Sequence, residues 1–321
     1  MPGVLALRRV WEIIKEVDLE AIRRQAETPL RVAIVAESAA EADDLAVLLA
    51  AGDPKAAAWL QPMDADLASR LAGTEAGAAV VEGPDLVVLL TREKPAAAMS
   101  AVKQAWHDRR TPLLEVVPGV EPSSPVRPQP HHARVALGTA ATNRADRLAE
   151  ALFAIVEPDR RLALARQFPA LRPCAFSTLI EETSRANAGY AFSTGLAEVV
   201  PVLGIPMTIG DIIVLTKNQL LMGYRIALAA GLSGRPRDLL TEILGVLGGG
   251  LLFRQVARQL VGLVPVIGIV PKVAVAYGGT WAIGRAVTLW ATGGGRVTRE
   301  RLRQLSHEGL RRGRSVAEGM K

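Results

Sequence analysis

The 321-residue chain is long enough for two domains, and half of it is hydrophobic, with few aromatics and a mean hydropathy of +0.22. A single cysteine, Cys174, excludes an intrachain disulfide and points to a reducing compartment. The net charge of +6 suits an anionic membrane surface or nucleic acid, but the basic residues are not interleaved with aromatics as in single-strand binders, which argues against nucleic acid.

The N-terminus lacks the basic start and unbroken apolar core of a secretory signal. Residues 1–28 are read as an amphipathic N-terminal segment, helical over 4–27. There Leu7, Val10, Trp11, Ile14, Val17 and Ile22 recur at three- and four-residue steps, and Thr28-Pro29 ends the pattern. Its acids balance its bases, so docking on the next domain is favoured over a membrane-surface role. Residues 29–155 alternate apolar runs with helical stretches. The expected strands are Leu30–Val35, Gly77–Val81, Asp85–Leu90, Pro112–Val117 and Arg134–Leu137. The expected helices are Asp43–Ala51, Asp64–Ala72 and Ala96–Asp108. This alternation predicts an α/β domain with a doubly wound, mostly parallel sheet. Pro118–His132 holds five prolines and reads as an irregular loop. Residues 156–295 read as a helical apolar domain, glycine-rich from Glu182 to Ala291, and 296–321 as a basic tail.

Residues 36–44, Ala-Glu-Ser-Ala-Ala-Glu-Ala-Asp-Asp, stand where a nucleotide-binding domain carries its phosphate loop. That loop reads G-x-x-x-x-G-K-[ST]: glycine N–H groups cradle the phosphates, the lysine neutralises them and the hydroxyl holds magnesium. Here Ala36 and Glu41 take the glycine positions, Ala42 the lysine and Asp43 the hydroxyl, so every requirement fails. Glu37, Glu41, Asp43 and Asp44 would repel a triphosphate. A guanine-reading N-K-x-D would follow the strand Pro112–Val117, but Pro118, Gly119 and Glu121 occupy its defining positions. No D-x-x-G precedes Asp85. Strand–helix alternation alone fits many doubly wound folds.

The second half carries Glu182-Thr183-Ser184 with Asn187-Ala188, Pro201-Val202-Leu203-Gly204-Ile205-Pro206, Asp211, and Leu215-Thr216-Lys217-Asn218-Gln219. Ala276-Tyr277-Gly278-Gly279-Thr280 follows, with Gly284-Arg285. These residues resemble the YcjF-type bacterial family (domain of unknown function number 697). In that family the domain often follows an Era-like GTPase domain, and members are commonly described as membrane proteins. The resemblance covers about half the chain. It implies that the first domain is a Ras-like, degenerate P-loop NTPase and the second a membrane-associated helical domain. It marks Glu182, Asn187, Asp211, Lys217, Asn218, Gln219, Arg225, Tyr277, Thr280 and Arg285 as polar candidates, and it supplies no activity.

The residues themselves leave the membrane open. Val199–Thr216 and Gln259–Trp290 are the most apolar stretches, yet no run of 18 residues is free of charge. Gly204, Gly210, Gly245, Gly248 to Gly250, Gly278 and Gly279 would allow close helix contact in lipid or in a buried core. Asp211, Asn218 and Arg225 are seven apart and predict one polar stripe, either a functional face within lipid or an ordinary wet face. The basic tail reads as an anionic-lipid contact or a solvated helix. His131-His132 reads as a surface pair and Cys174 as a packed thiol, with no spacing for a metal. No catalytic constellation, cofactor or small-molecule substrate emerges.

The expectation is a non-enzymatic scaffold or adaptor at the cytoplasmic face of a bacterial inner membrane. It would contact lipid and a protein partner, and self-association is open. The alternatives are an active NTPase with a non-standard site acting on membranes, or a wholly soluble interaction protein.

Overall fold

The computed structural model describes Glu12 and residues 14–68, 83–92, 94–120, 131–138, 144–197, 209–246, 269–294 and 297–320; for 195–197, 209–212, 246 and 269–271 it describes the backbone alone. The chain forms two compact units, Arg24–Ala175 and Met1–Arg23 with Phe176–Lys321. Residues 156–175 thus belong with the α/β unit, and 296–321 with the helical one.

Helix α1 runs Leu19–Glu27. Continuous helix over 4–27 is not what forms among the described residues: Lys15 to Val17 make a turn and bend, and Asp18 restarts the helix by accepting the N–H of Ala21 at 2.8 Å. An Asp cap satisfies one of the orphan donors that every helix start leaves.

The α/β unit is built on five strands: β1 Val32–Ala36, β2 Leu60–Asp64, β3 Leu86–Leu90, β4 Leu113–Pro118 and β5 His132–Leu137. All are parallel, in the order β2-β1-β3-β4-β5. Central strands β1 and β3 are apolar along their length because helices cover both faces of a parallel sheet. Strand β2, Leu-Gln-Pro-Met-Asp, escapes a reading for alternation. Its Pro62 cannot donate to a ladder and is tolerated only because β2 is an edge strand. The expected strand Gly77–Val81 lies outside the described residues, as do most of the proline-rich loop and the end of helix Asp64–Ala72, of which residues 65–68 are helical.

The helices of this unit are α2 Ala39–Ala50, α3 Pro54–Ala57, α4 Ala97–Asp108, α5 Arg144–Ile155 and α6 Pro158–Gln167. Met99, Val102 and Trp106 of α4 bury against Ala33, Val35, Val87, Leu89 and Leu113. Below the sheet, the Gln167 side chain grips the backbone of Leu30 from both sides, accepting its N–H at 2.9 Å and donating to its carbonyl at 2.7 Å. Asp85 accepts from the Arg31 N–H and from Arg160. These bonds fix the entries to β1 and β3 and leave the opposite, carboxyl ends of the strands open.

The helical unit comprises α7 Arg172–Ala197 (its first residues counted with the α/β unit), α8 Ile209–Ala229, α9 Pro236–Val246, α10 Ile269–Gly293 and α11 Arg299–Gly319. The basic tail is therefore a helix, capped by Thr298, which accepts the Arg301 N–H. It packs on α10 through small residues. Gly309 lies against Gly278, and Gly313 against the Ala274 carbonyl. A Cβ on Gly278 would meet the Gly309 backbone at 2.5 Å, so the two helices touch main chain to main chain. Leu305 and Ala317 extend the buried stripe at four-residue steps. Of the glycines expected at helix contacts, Gly278 makes one, whereas Gly245 and Gly279 face open space. Among the described residues no helix is long and apolar enough to cross a membrane.

This packing predicts opposite signs for two glycine substitutions. Gly309→Val overpacks a backbone contact and should cost about 1–3 kcal/mol or more. Gly279→Ala adds a methyl to open space within a helix and should gain up to about 1 kcal/mol. Urea denaturation of both variants checks the pair.

Candidate functional site

In a doubly wound sheet the functional crevice lies beyond the carboxyl ends of the strands, where the strand order reverses. Here the reversal falls between β1 and β3. A crevice of about 690 Å³ opens there. Glu37, Glu41 and Asp44 line it from the β1–α2 turn, Thr91 and Arg92 from the end of β3, and Arg144 from the start of α5. Leu48, Leu90, Val116 and Leu137 give it an apolar floor.

The acid-filled turn has a local explanation. Ser38 is the N-cap of α2, its Oγ accepting the Glu41 N–H at 3.4 Å. Glu41 stands three residues on, the spacing of a capping box, and an acid there also complements the helix dipole. One of the donors that would cradle a phosphate, the Glu41 N–H, thus meets the chain's own serine. Arg92 then crosses from β3, donating to Glu37 at 3.0 Å and lying 3.6 Å from Glu41. Its side chain is 67 % exposed, so these pairs contribute little stability. Their consequence is electrostatic: Arg92 is already engaged by the acids, while Arg144, the other lining arginine, donates to the Gly138 carbonyl.

The remaining sequence-marked positions follow the same logic. Ala36 ends β1 and Ala42 packs inward; both are fully buried. Asp43 points to solvent. Pro118 ends β4, and Gly119 turns out of it with φ +75°, donating to the Leu137 carbonyl at 2.8 Å. Where a base-reading side chain would stand there is thus an exposed proline and a left-handed glycine turn. Glu121 lies outside the described residues.

The chain matches no family model, no curated protein and no solved structure. Its chemistry therefore has to be read from its own side chains, and two clusters apart from the crevice carry it.

In the helical unit, four of the marked residues meet. Asn187 of α7 donates to Thr280 of α10 at 2.8 Å and accepts from Asn218 of α8 at 2.8 Å. Gln219 donates to the same Thr280 oxygen at 3.1 Å, and Thr280 donates to the Ala276 carbonyl at 2.7 Å. Asn187 and Thr280 are fully buried. Three helices are thus pinned by neutral amides and one hydroxyl. The buried Ser184 oxygen has no partner among the described residues. Within the expected Asp211–Asn218–Arg225 stripe the surroundings differ along the helix. Asn218 turns into the network while Arg225 is exposed, and the Asp211 side chain is not among those described. Lys217 is half-buried. Tyr277 donates to Glu181 at 2.6 Å, the neighbour of the marked Glu182. Arg285 and Glu182 line a separate groove.

The α/β unit holds a charged cluster that the sequence reading passed over. Glu115 lies on the α4 face of β4 with its side chain 6 % exposed, 2.5 Å from the Lys103 ammonium and 2.6 Å from Nε2 of His132. His132 is the first residue of β5, not part of a surface pair; His131 alone is exposed. Burial raises the Glu115 pKa, but the hydrogen bonds and charges of Lys103 and His132 outweigh it and hold the group below the ordinary glutamate value. The signal was a lone acid inside the apolar strand Leu113–Val117.

Because the folded-state pKa is lowered, ionised Glu115 stabilises the fold above its unfolded pKa, and that contribution fades as pH falls through the folded value. Wild-type stability should therefore drop below about pH 4.3 with a component that Glu115→Gln removes. At pH 7 that variant should lose about 1.5–3 kcal/mol, the range for charged hydrogen bonds. Urea midpoints across the acid range read both effects.

Proposed function

We propose that the chain is a non-enzymatic scaffold or adaptor. In this reading the α/β unit is a degenerate, Ras-like GTPase module that binds a protein partner, and the helical unit associates with the cytoplasmic face of a bacterial membrane. The observation that carries it is the β1–α2 turn. The helix start at the switch point is capped by Ser38, lined with Glu37, Glu41 and Asp44, and bridged by Arg92, so a triphosphate would meet carboxylates, with no lysine among the described lining residues. The crevice keeps an apolar floor under an acidic rim, which suits a protein segment with basic and apolar side chains better than a nucleotide.

Two features support membrane association. The helical unit pins its helices through buried amides and main-chain contacts at glycine, the two devices that hold helices together where hydrophobic contrast is weak. Helix α11 also presents Arg299, Arg303, Arg311 and Arg314 to its surroundings, suiting an anionic leaflet.

Fractionation of the tagged full chain tests the reading. The protein should sediment with membranes, and detergent should release whatever salt and alkaline carbonate leave behind. Recovery in the soluble fraction throughout would remove the membrane from the proposal.

A further inference from the structure

A second cavity lies within the helical unit, a groove of about 610 Å³ between α7, α10 and α11. Its floor is apolar: Ile180, Trp281 and Leu305 are all buried. Its walls are charged, and half of those charges are paired. Glu181 pairs with Arg185 and accepts from Tyr277. Arg312 pairs with Glu308 at 3.1 Å and stacks over the Trp281 ring at 4.7 Å.

Two arginines remain. Arg285 also stacks on Trp281, with its guanidinium carbon 5.9 Å from the ring centroid, and no carboxylate among the described residues lies within ion-pair distance. Among the described residues the Arg301 side chain bonds only the neutral Gln304, at 3.1 Å. The helix register brings them together. Gly309 sits on Gly278 and Gly313 on Ala274, so α10 and α11 run antiparallel, and continuing that register sets Arg301 and Leu302 beside Arg285. Ile180 packs against Gly284, which places Thr178, another lining residue, at the same end. The third unpaired charge is Glu182, on the exposed rim of α7.

We infer that this end of the groove binds a phosphodiester group, with Arg285 and Arg301 as its charged donors and Thr178 as a hydroxyl donor. Guanidinium pairs match phosphate oxygens in geometry and charge. The Trp281 ring holds Arg285 in place before the ligand arrives, which lowers the ordering cost of binding. Two arginines and Glu182 leave one net positive charge. A phosphodiester, with one negative charge, balances it; a monoester, carrying close to two, does not. The source is either the headgroup of a phospholipid or a soluble diester. The site itself does not depend on the membrane reading, and only its lipid source does.

The test uses the purified full chain. Binding of soluble glycerophosphoglycerol is followed by calorimetry, with glycerol 3-phosphate as the monoester, and binding of phosphatidylglycerol vesicles is followed by flotation. Arg285→Gln and Arg301→Gln should each weaken binding roughly tenfold or more, as loss of a charge-assisted contact implies. Arg303→Gln and Arg314→Gln, exposed on the other flank of α11, should leave binding of the soluble diester unchanged. Arg301 is exposed, so its variant reads the site even where Arg285→Gln disturbs packing. Site-dependent binding of both soluble diester and vesicles assigns a lipid source; site-dependent binding of the soluble diester alone assigns a soluble one. Equal losses of soluble-diester binding in all four variants, a preference for the monoester, or binding of neither probe would overturn the assignment.

Discussion

A helix that begins at the switch point of a parallel sheet starts with unsatisfied N–H groups aimed at the crevice, and something must satisfy them. In nucleotide-binding folds that partner is a phosphate. Here it is the chain itself. Ser38 caps α2 by accepting the Glu41 N–H, and Arg92 comes across from β3 to meet Glu37 and Glu41. With a capped helix start and an acidic lining, the crevice keeps its position and its apolar floor and presents carboxylates where a phosphate would sit. The sheet order and the strand entries fixed by Gln167 and Asp85 place that crevice.

The helical unit is governed by close approach. Backbone contact at Gly278–Gly309 and Gly313–Ala274 brings α10 and α11 nearer than side chains would permit. Thr280 lies two residues past Gly278, and its hydroxyl collects Asn187 and Gln219 from two further helices. A neutral network of this kind fixes helix register without leaving an ion in the interior. The same register lines up Trp281 with Arg285 and Arg312, so packing at the glycines and charge in the neighbouring groove share one cause.

How much was legible follows physical lines. Strands β1, β3 and β4 were visible because both faces of a parallel sheet are buried and leave unbroken apolar runs. Edge strand β2 was hidden, since Gln61 and Pro62 look like a turn and only partnership with β1 makes them a strand. Helix α2 was placed late because its start was sought at Asp43 when the cap is Ser38. Asn187, Asn218, Gln219 and Thr280 were marked individually, but their meeting depends on helix crossings that no local pattern encodes. The partnership of Lys103, Glu115 and His132 spans a helix and two strands and is likewise tertiary. The basic tail concealed its packing stripe, because Gly309 and Gly313 among arginines look like loop residues until an opposing glycine explains them.

The central claim is that the crevice beside Ser38 and Glu41 has exchanged phosphate binding for self-capping. The direct test is titration of the full chain with fluorescent GTP and ATP analogues in the presence of magnesium. The account predicts no saturable binding into the millimolar range. Saturable micromolar binding, lost on Glu41→Ala or Asp43→Ala, would contradict it and make the crevice a nucleotide site of a different design.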